Sequence, residues 1–173
     1  MPRTLRLSLP PGLHHVTSRG NNREPLFRAP RDHLVFYGLL RDAAPAQHVQ
    51  VLAHCLMPNH FHLLVDAGVP QLSRCMQRVK GRYAAYVNTI YGRTGHVFEK
   101  RFHAVPILGQ SQLAAVVRYI ARNPVAAGLC EHPEEWEWGS AHLTTPPASP
   151  PPWLASQRLR ALLGDDPSSL WRE

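Results

Sequence analysis

Residues 57–65 read Met57-Pro58-Asn59-His60-Phe61-His62-Leu63-Leu64-Val65. Side chains alternate faces along a strand, so a strand that opens at His60 points both imidazoles one way and turns Phe61 and Leu63 the other, into apolar packing. The run before it is also strand-forming, and Pro58-Asn59 suits a tight turn. The stretch therefore predicts a hairpin with strands over 48–56 and 60–66. Two imidazoles on one rigid face are half of a metal site. Imidazole binds first-row divalent ions, and two nitrogens leave room for a third protein ligand, water and a substrate oxygen. Such a pair also arises by chance, and the plainer reading is two strand histidines bonded to polar neighbours.

On the N-terminal side, a short strand over 13–18 runs into the polar turn Arg19-Gly20-Asn21-Asn22-Arg23. A helix follows over 30–43, with Pro30 suited to its first turn and Leu34, Leu39 and Leu40 among its apolar positions. On the C-terminal side, Leu72, Met76, Val79, Tyr83, Tyr86 and Val87 recur at near-helical spacing and predict a helix over 70–91. Arg74, Arg78 and Arg82, four apart, form a basic ridge along it. Gly92 to Gly95 breaks that helix. A strand over 102–108 and a helix over 110–122, stopped by Pro124, complete the pattern. The order βαββαβ with a terminal helix predicts an α+β fold: a ferredoxin-like antiparallel sheet with helices on one face.

The chain of 173 residues carries a formal charge of +7. Its isoelectric point is near 9.9, which favours a polyanionic partner. Between Ala67 and Cys130 stand nine basic residues against the single acid Glu99. From Glu131 onward three basic residues face seven acids. A charge run is often only a solvated face, but this excess spans the stretch that holds the candidate chemistry, which points to nucleic acid. Three cysteines, Cys55, Cys75 and Cys130, lack C-x-x-C spacing, so neither a disulfide framework nor a structural zinc site is expected. The N-terminus has no apolar signal core and no run reaches the length needed to cross a bilayer, so a cytoplasmic protein with no membrane partner is expected.

Three units are expected. Residues 1–143 form the main domain, and the Pro-rich stretch 144–152 forms an extended linker. Residues 153–173 form a tail in which Trp153, Leu154, Leu159, Leu162 and Leu163 suggest a short amphipathic helix, with Trp171 beyond. That apolar face must be buried on its own domain or in a homodimer contact, so monomer and homodimer both stay open.

The stretch Cys55 to Leu64 closely resembles the signature of the REP-associated tyrosine transposases, a branch of the HUH single-strand nucleases. Further matches follow in the family's order: Val16 to Arg23, Gly81-Arg82-Tyr83, Gly95 to Phe102, and Arg118-Tyr119-Ile120-Ala121-Arg122-Asn123-Pro124 through Leu129. The resemblance covers roughly residues 13 to 143 and implies the same ferredoxin-like fold. It implies Tyr119 as the catalytic tyrosine, with His60, His62 and Asn123 as ligands of a divalent metal, Mg2+ or Mn2+. Asn123 follows Tyr119 by four, so a helix continuing through both would place them on one face, although Pro124 disfavours that conformation at Asn123. Two imidazoles suit magnesium less well than carboxylates do.

The implied chemistry is transesterification on single-stranded DNA at palindromic REP-type hairpins. Tyr119 attacks a phosphodiester, the 3′ hydroxyl departs and a 5′-phosphotyrosine remains. No residue stands out as the general base. Candidate DNA contacts are the turn residues Arg19, Asn21, Asn22 and Arg23, the ridge Arg74, Arg78 and Arg82, and the pair Lys100 and Arg101 beside Phe98 and Phe102. Neutralising about six phosphates predicts a log-log salt slope near −4 at roughly −0.7 per contact. A non-catalytic hairpin binder and an RNA-binding module on the same fold are the alternatives.

Overall fold

The computed structural model describes residues 10–164 and 167–172. The start of the N-terminal stretch, residues 1–9, and the tail acids Asp165, Asp166 and Glu173 lie outside the described residues. Four strands form one antiparallel sheet: β1 (Gly12–Arg19), β2 (Gln50–Met57), β3 (His60–Ala67) and β4 (His103–Pro106), in the order β2-β3-β1-β4. The crossovers are α1 (Pro30–Ala46) and α2 (Val69–Tyr91). After β4 come α3 (Gln110–Ala126), a five-residue α4 (Ser140–Thr144), α5 (Ser156–Leu163) and α6 (Ser169–Arg172). This is the expected ferredoxin-like arrangement.

The alternation read from β3 sorts the core into two layers. Phe61, Leu63 and Val65 join Val16 of β1, Phe36 and Leu40 of α1, and Leu72, Met76, Val79, Tyr83 and Val87 of α2. Leu64, of opposite parity, joins Leu113, Val117, Ile120 and Ala121 of α3, with Leu159 and Trp171 from the tail. A bulge between Val51 and Ala53 lets Leu52 and Ala53 both face this second layer. The two crossover helices share one face, as the ferredoxin-like pattern requires. Helix α3, which follows the last strand, covers part of the other.

Strand β4 is shorter than the expected 102–108, and two helices run past their expected ends. Helix α3 runs through Pro124 to Ala126, because near a C-terminus the missing N–H of proline removes one bond without disrupting the helix behind it. The chain turns at Gly128, whose φ is 69°, where the Leu129 N–H reaches the Pro124 carbonyl and the Gly128 N–H reaches Val125. Helix α1 likewise extends past residue 43 through Pro45 to Ala46.

The segment after α3 returns to the outer strand. The Leu56 N–H donates to the Trp138 carbonyl, Cys55 bridges Gly139, and the Ser140 hydroxyl bonds the His54 backbone. Beyond the Pro-rich stretch, Leu154 forms a parallel bridge with Val51, and the Ala155 N–H donates to the Val51 carbonyl at 2.8 Å. The free edge of β2 is thus occupied at both ends. At α3, Arg118 donates to the Leu170 carbonyl and Arg122 to the Trp171 carbonyl. Among the described residues, no helix is long and apolar enough to cross a membrane.

Candidate active site

The β1–β3 register places Thr17 opposite His62 and Arg19 opposite His60, so the β1 residues of matching parity, His15 and Thr17, share the histidine face. His60 and His62 lie with ring centroids 4.9 Å apart. Tyr119, 53% exposed on α3, stands edge-on to His62 with centroids 5.3 Å apart. One turn further along α3, the Asn123 side chain comes within interaction range of His60. Tyr119, Asn123, His60 and His62 therefore converge, although they come from two motifs separated by about a third of the chain. The continuation of α3 through Asn123 is what keeps that residue on the same helical face as Tyr119.

Each histidine has a defined neighbour on one ring nitrogen. Asn59 donates its amide N–H to the Arg23 carbonyl at 3.2 Å, which leaves its side-chain oxygen as the acceptor. The His60 Nδ1–H then donates to that oxygen at 2.7 Å, and Nε2 of His60 keeps its lone pair. His62 Nδ1 lies 3.0 Å from Nε2 of His15, while its own Nε2 is buried without a hydrogen-bond partner.

Burial lowers the pKa of all three rings. For His62, burial and then the neighbouring His60, His15 and Arg19 push it down to about 3. For His60, burial lowers it most, the nearby Asn123 side chain partly opposes that, and the Arg19 charge lowers it further. For His15, burial acts first and His103 second. Neutral imidazole is the form that coordinates a metal.

Among the described residues, no three His, Cys, Asp or Glu side chains are grouped to hold a metal ion. The donors present are two imidazoles and an amide. The bare, buried Nε2 of His62 and the lone pair on His60 fit a divalent ion of the nitrogen- and oxygen-binding kind.

The turn Asn21–Arg23, whose Asn22 and Arg23 have φ of 52° and 59°, is fastened beside this site. Its anchors are Gly20 N–H to the Asn59 carbonyl, Asn21 N–H to Val97, and Glu99 N–H to the Arg19 carbonyl. A Cβ at Gly20 would collide with the Glu24 carbonyl, so only glycine permits this closure. Arg19 acts electrostatically on both His60 and His62. Lys100 pairs with Glu99, and Arg101 is exposed on the same loop.

The ridge Arg74, Arg78 and Arg82 is exposed on α2, across the sheet from the histidines, and Arg74 bonds Gln47. Sequence reasoning missed His15 and the bonding role of Asn59. Asn59 was in plain view as a turn residue, whereas His15 becomes visible only once β1 and β3 are paired.

A family model described as "Transposase IS200 like" matches residues 12–123. A REP-associated tyrosine transposase solved bound to a REP hairpin is similar in structure, with a TM-score of 0.68 and 19% identity over 82% of this chain and 84% of that one. A candidate transposase from Deinococcus radiodurans R1 shows 17% identity over 69% of this chain and 94% of that one, at a TM-score of 0.46, too weak a likeness to bear on the fold. No curated protein matches the chain.

Proposed function

The chain belongs to the IS200-like transposase family, and from that premise we propose that it is a metal-dependent single-stranded DNA endonuclease and strand transferase acting at palindromic, REP-type hairpins. As a family member it is a DNA-binding transposase; the substrate, the metal and the residue roles are the proposal. The hairpin as partner rests on the likeness to the hairpin-bound relative.

The observation that carries the reading is an exposed tyrosine held edge-on to a buried imidazole whose Nε2 has no partner. In the proposed reaction the Tyr119 oxygen bonds to phosphorus as the bond from phosphorus to the 3′ oxygen breaks. The tyrosine proton leaves to solvent or a nearby base, and the departing 3′ oxygen gains one. The phosphodiester is exchanged for a 5′-phosphotyrosine, so a second 3′ hydroxyl can reverse the step and join strands without a nucleotide cofactor. His60, His62 and Asn123 would hold the divalent ion, Mg2+ or Mn2+, which supplies Lewis-acid stabilisation of charge at the phosphate. Arg19 stands where it can take a phosphate of the same strand.

The test uses single-stranded palindromes from the flanks of the protein's own gene, with Mg2+ or Mn2+, comparing wild type with Tyr119→Phe on denaturing gels. A metal-dependent protein–DNA adduct that vanishes in the variant is the expected result. Tight hairpin binding without adduct under either metal would replace this reading with a non-catalytic binder. RNA outcompeting DNA hairpins with no metal effect would replace it with an RNA-binding module.

A further inference from the structure

The contact between His15 and His62 joins two imidazole nitrogens 3.0 Å apart, and between two neutral rings such a contact holds a single proton. Two arrangements are possible. If His15 Nε2 carries the proton, His62 accepts it at Nδ1 and its own proton must sit on Nε2, where it is buried with nothing to donate to. If His62 Nδ1 carries the proton, His15 Nε2 accepts it and Nε2 of His62 is a bare lone pair. A buried nitrogen without a partner costs about 1–3 kcal/mol whether it carries a proton or a lone pair; the two arrangements differ in that an N–H there blocks coordination and a lone pair permits it.

We propose that His15 is a positioning residue: by accepting the Nδ1 proton of His62 it fixes the tautomer in which Nε2 of His62 is free to bind a divalent ion. This rests on the metal-dependent reading above. The geometry around His15 supports it in two further ways. The rings of His15 and His62 are stacked, with centroids 5.2 Å apart and planes 25° apart, so His15 restrains the tilt of His62 as well as its proton. His15 also lies edge-on to Tyr119 at 5.9 Å, so one side chain of β1 touches both the imidazole and the tyrosine of the site. His60 has its counterpart in Asn59, one residue away; for His62 the partner comes from 47 residues upstream. Outer partners of this kind orient metal-binding histidines, and removing one typically weakens metal affinity 10- to 100-fold.

The test uses the full chain, metal-free and 15N-labelled at histidine, as wild type, His15→Leu and His15→Gln. Nitrogen-detected correlation spectra report which nitrogen of His62 is protonated, and calorimetry with Mn2+ alone reports affinity without any turnover. In wild type the proton is expected on Nδ1. In His15→Leu it moves at least partly to Nε2, and Mn2+ binds roughly 10- to 100-fold more weakly. In His15→Gln, whose amide oxygen can accept the same proton, both readouts return towards wild type. A wild-type proton on Nε2 overturns the proposal, and so does an unchanged tautomer with unchanged affinity in His15→Leu. Should His15→Leu not fold, the wild-type spectrum and His15→Gln still decide it. No Mn2+ binding by a wild type that shows the expected tautomer would overturn the metal reading while leaving the action of His15 on the His62 ring in place.

Discussion

Two buried polar groups on opposite faces of the sheet are satisfied to different degrees. On the face covered by α1 and α2, Asp32 is fully buried, yet every bond it can use is made. Its carboxylate accepts from Tyr86 at 2.7 Å, Tyr91 at 2.6 Å, and the amides of Arg28 and Ala29 at 2.7 and 2.9 Å. Burial alone would raise its pKa, but the bonds from Tyr91, Tyr86 and the two amides outweigh that and hold it below the usual carboxylate value. On the other face His62 is almost as buried, and its Nε2 is left open. A saturated polar group ties a structure together. His62 differs from other buried atoms without a partner, such as Nδ1 of His54 and Nε2 of His33, in lying beside His60 and Tyr119, where its nitrogen is available to something that is not part of the chain.

Four experiments bear on that contrast. Replacing Tyr119 with Phe should reduce covalent adduct formation by 10³-fold or more, about 4 kcal/mol of barrier, while urea denaturation shifts by less than about 0.5 kcal/mol, because the hydroxyl lies on an exposed ring. Comparable stability loss would mean that the histidine face is structural as well. Asp32→Ala should do the reverse: a loss of about 3 kcal/mol of unfolding free energy from four orphaned donors, with metal affinity in the folded fraction unchanged.

The third experiment concerns acid. Burial holds His54 near pH 3, and burial, outweighing the bond from His33 to the Ala29 carbonyl and the Asp32 charge, holds His33 near 4. Both native pKa values lie below the unfolded value of about 6.5. Between these limits the unfolded chain binds protons that the native chain refuses, so stability is complete above pH 6.5 and falls as pH drops towards 4. His54→Gln should flatten that slope by up to about 1.4 kcal/mol per pH unit, read from urea midpoints between pH 7 and 5. The smallest effect is on salt dependence. Arg19→Ala should reduce the magnitude of the log-log slope for hairpin binding by about 0.7, whereas the triple change at Arg74, Arg78 and Arg82 should alter it by less. The opposite ranking would mean that DNA wraps across to the α2 face.

Local pattern carried most of the fold. The hairpin around Pro58-Asn59, the long α2 and the βαββαβ order all follow from period-two and period-3.6 alternation, which needs no knowledge of distant residues. The ordered motifs likewise pointed to His60, His62, Tyr119 and Asn123 as one group, and the fold brings those four side chains together. What stayed hidden depends on pairing. His15 reads as one polar residue in a short strand until the β1–β3 register sets it beside His62. The face of α2 that looks away from the site cannot be told from one that looks towards it by spacing alone. Nor does a stretch of prolines announce that the residues after it will line up with β2.

That last alignment bears on how the molecule can be cut. A sheet edge with open amides and carbonyls is a template for the next copy of the same strand, and nature usually hides or charges it. Here β2, apolar on both sides, has its outer edge engaged by Trp138 and Gly139 at one end and by Leu154 and Ala155 at the other. A chain ended at residue 143 would keep every proposed catalytic group and lose half of that cover, together with the buried Leu154, Leu159 and Trp171. Such a truncation is expected to go into inclusion bodies or self-associate through β2, a consequence separate from any loss of catalytic groups.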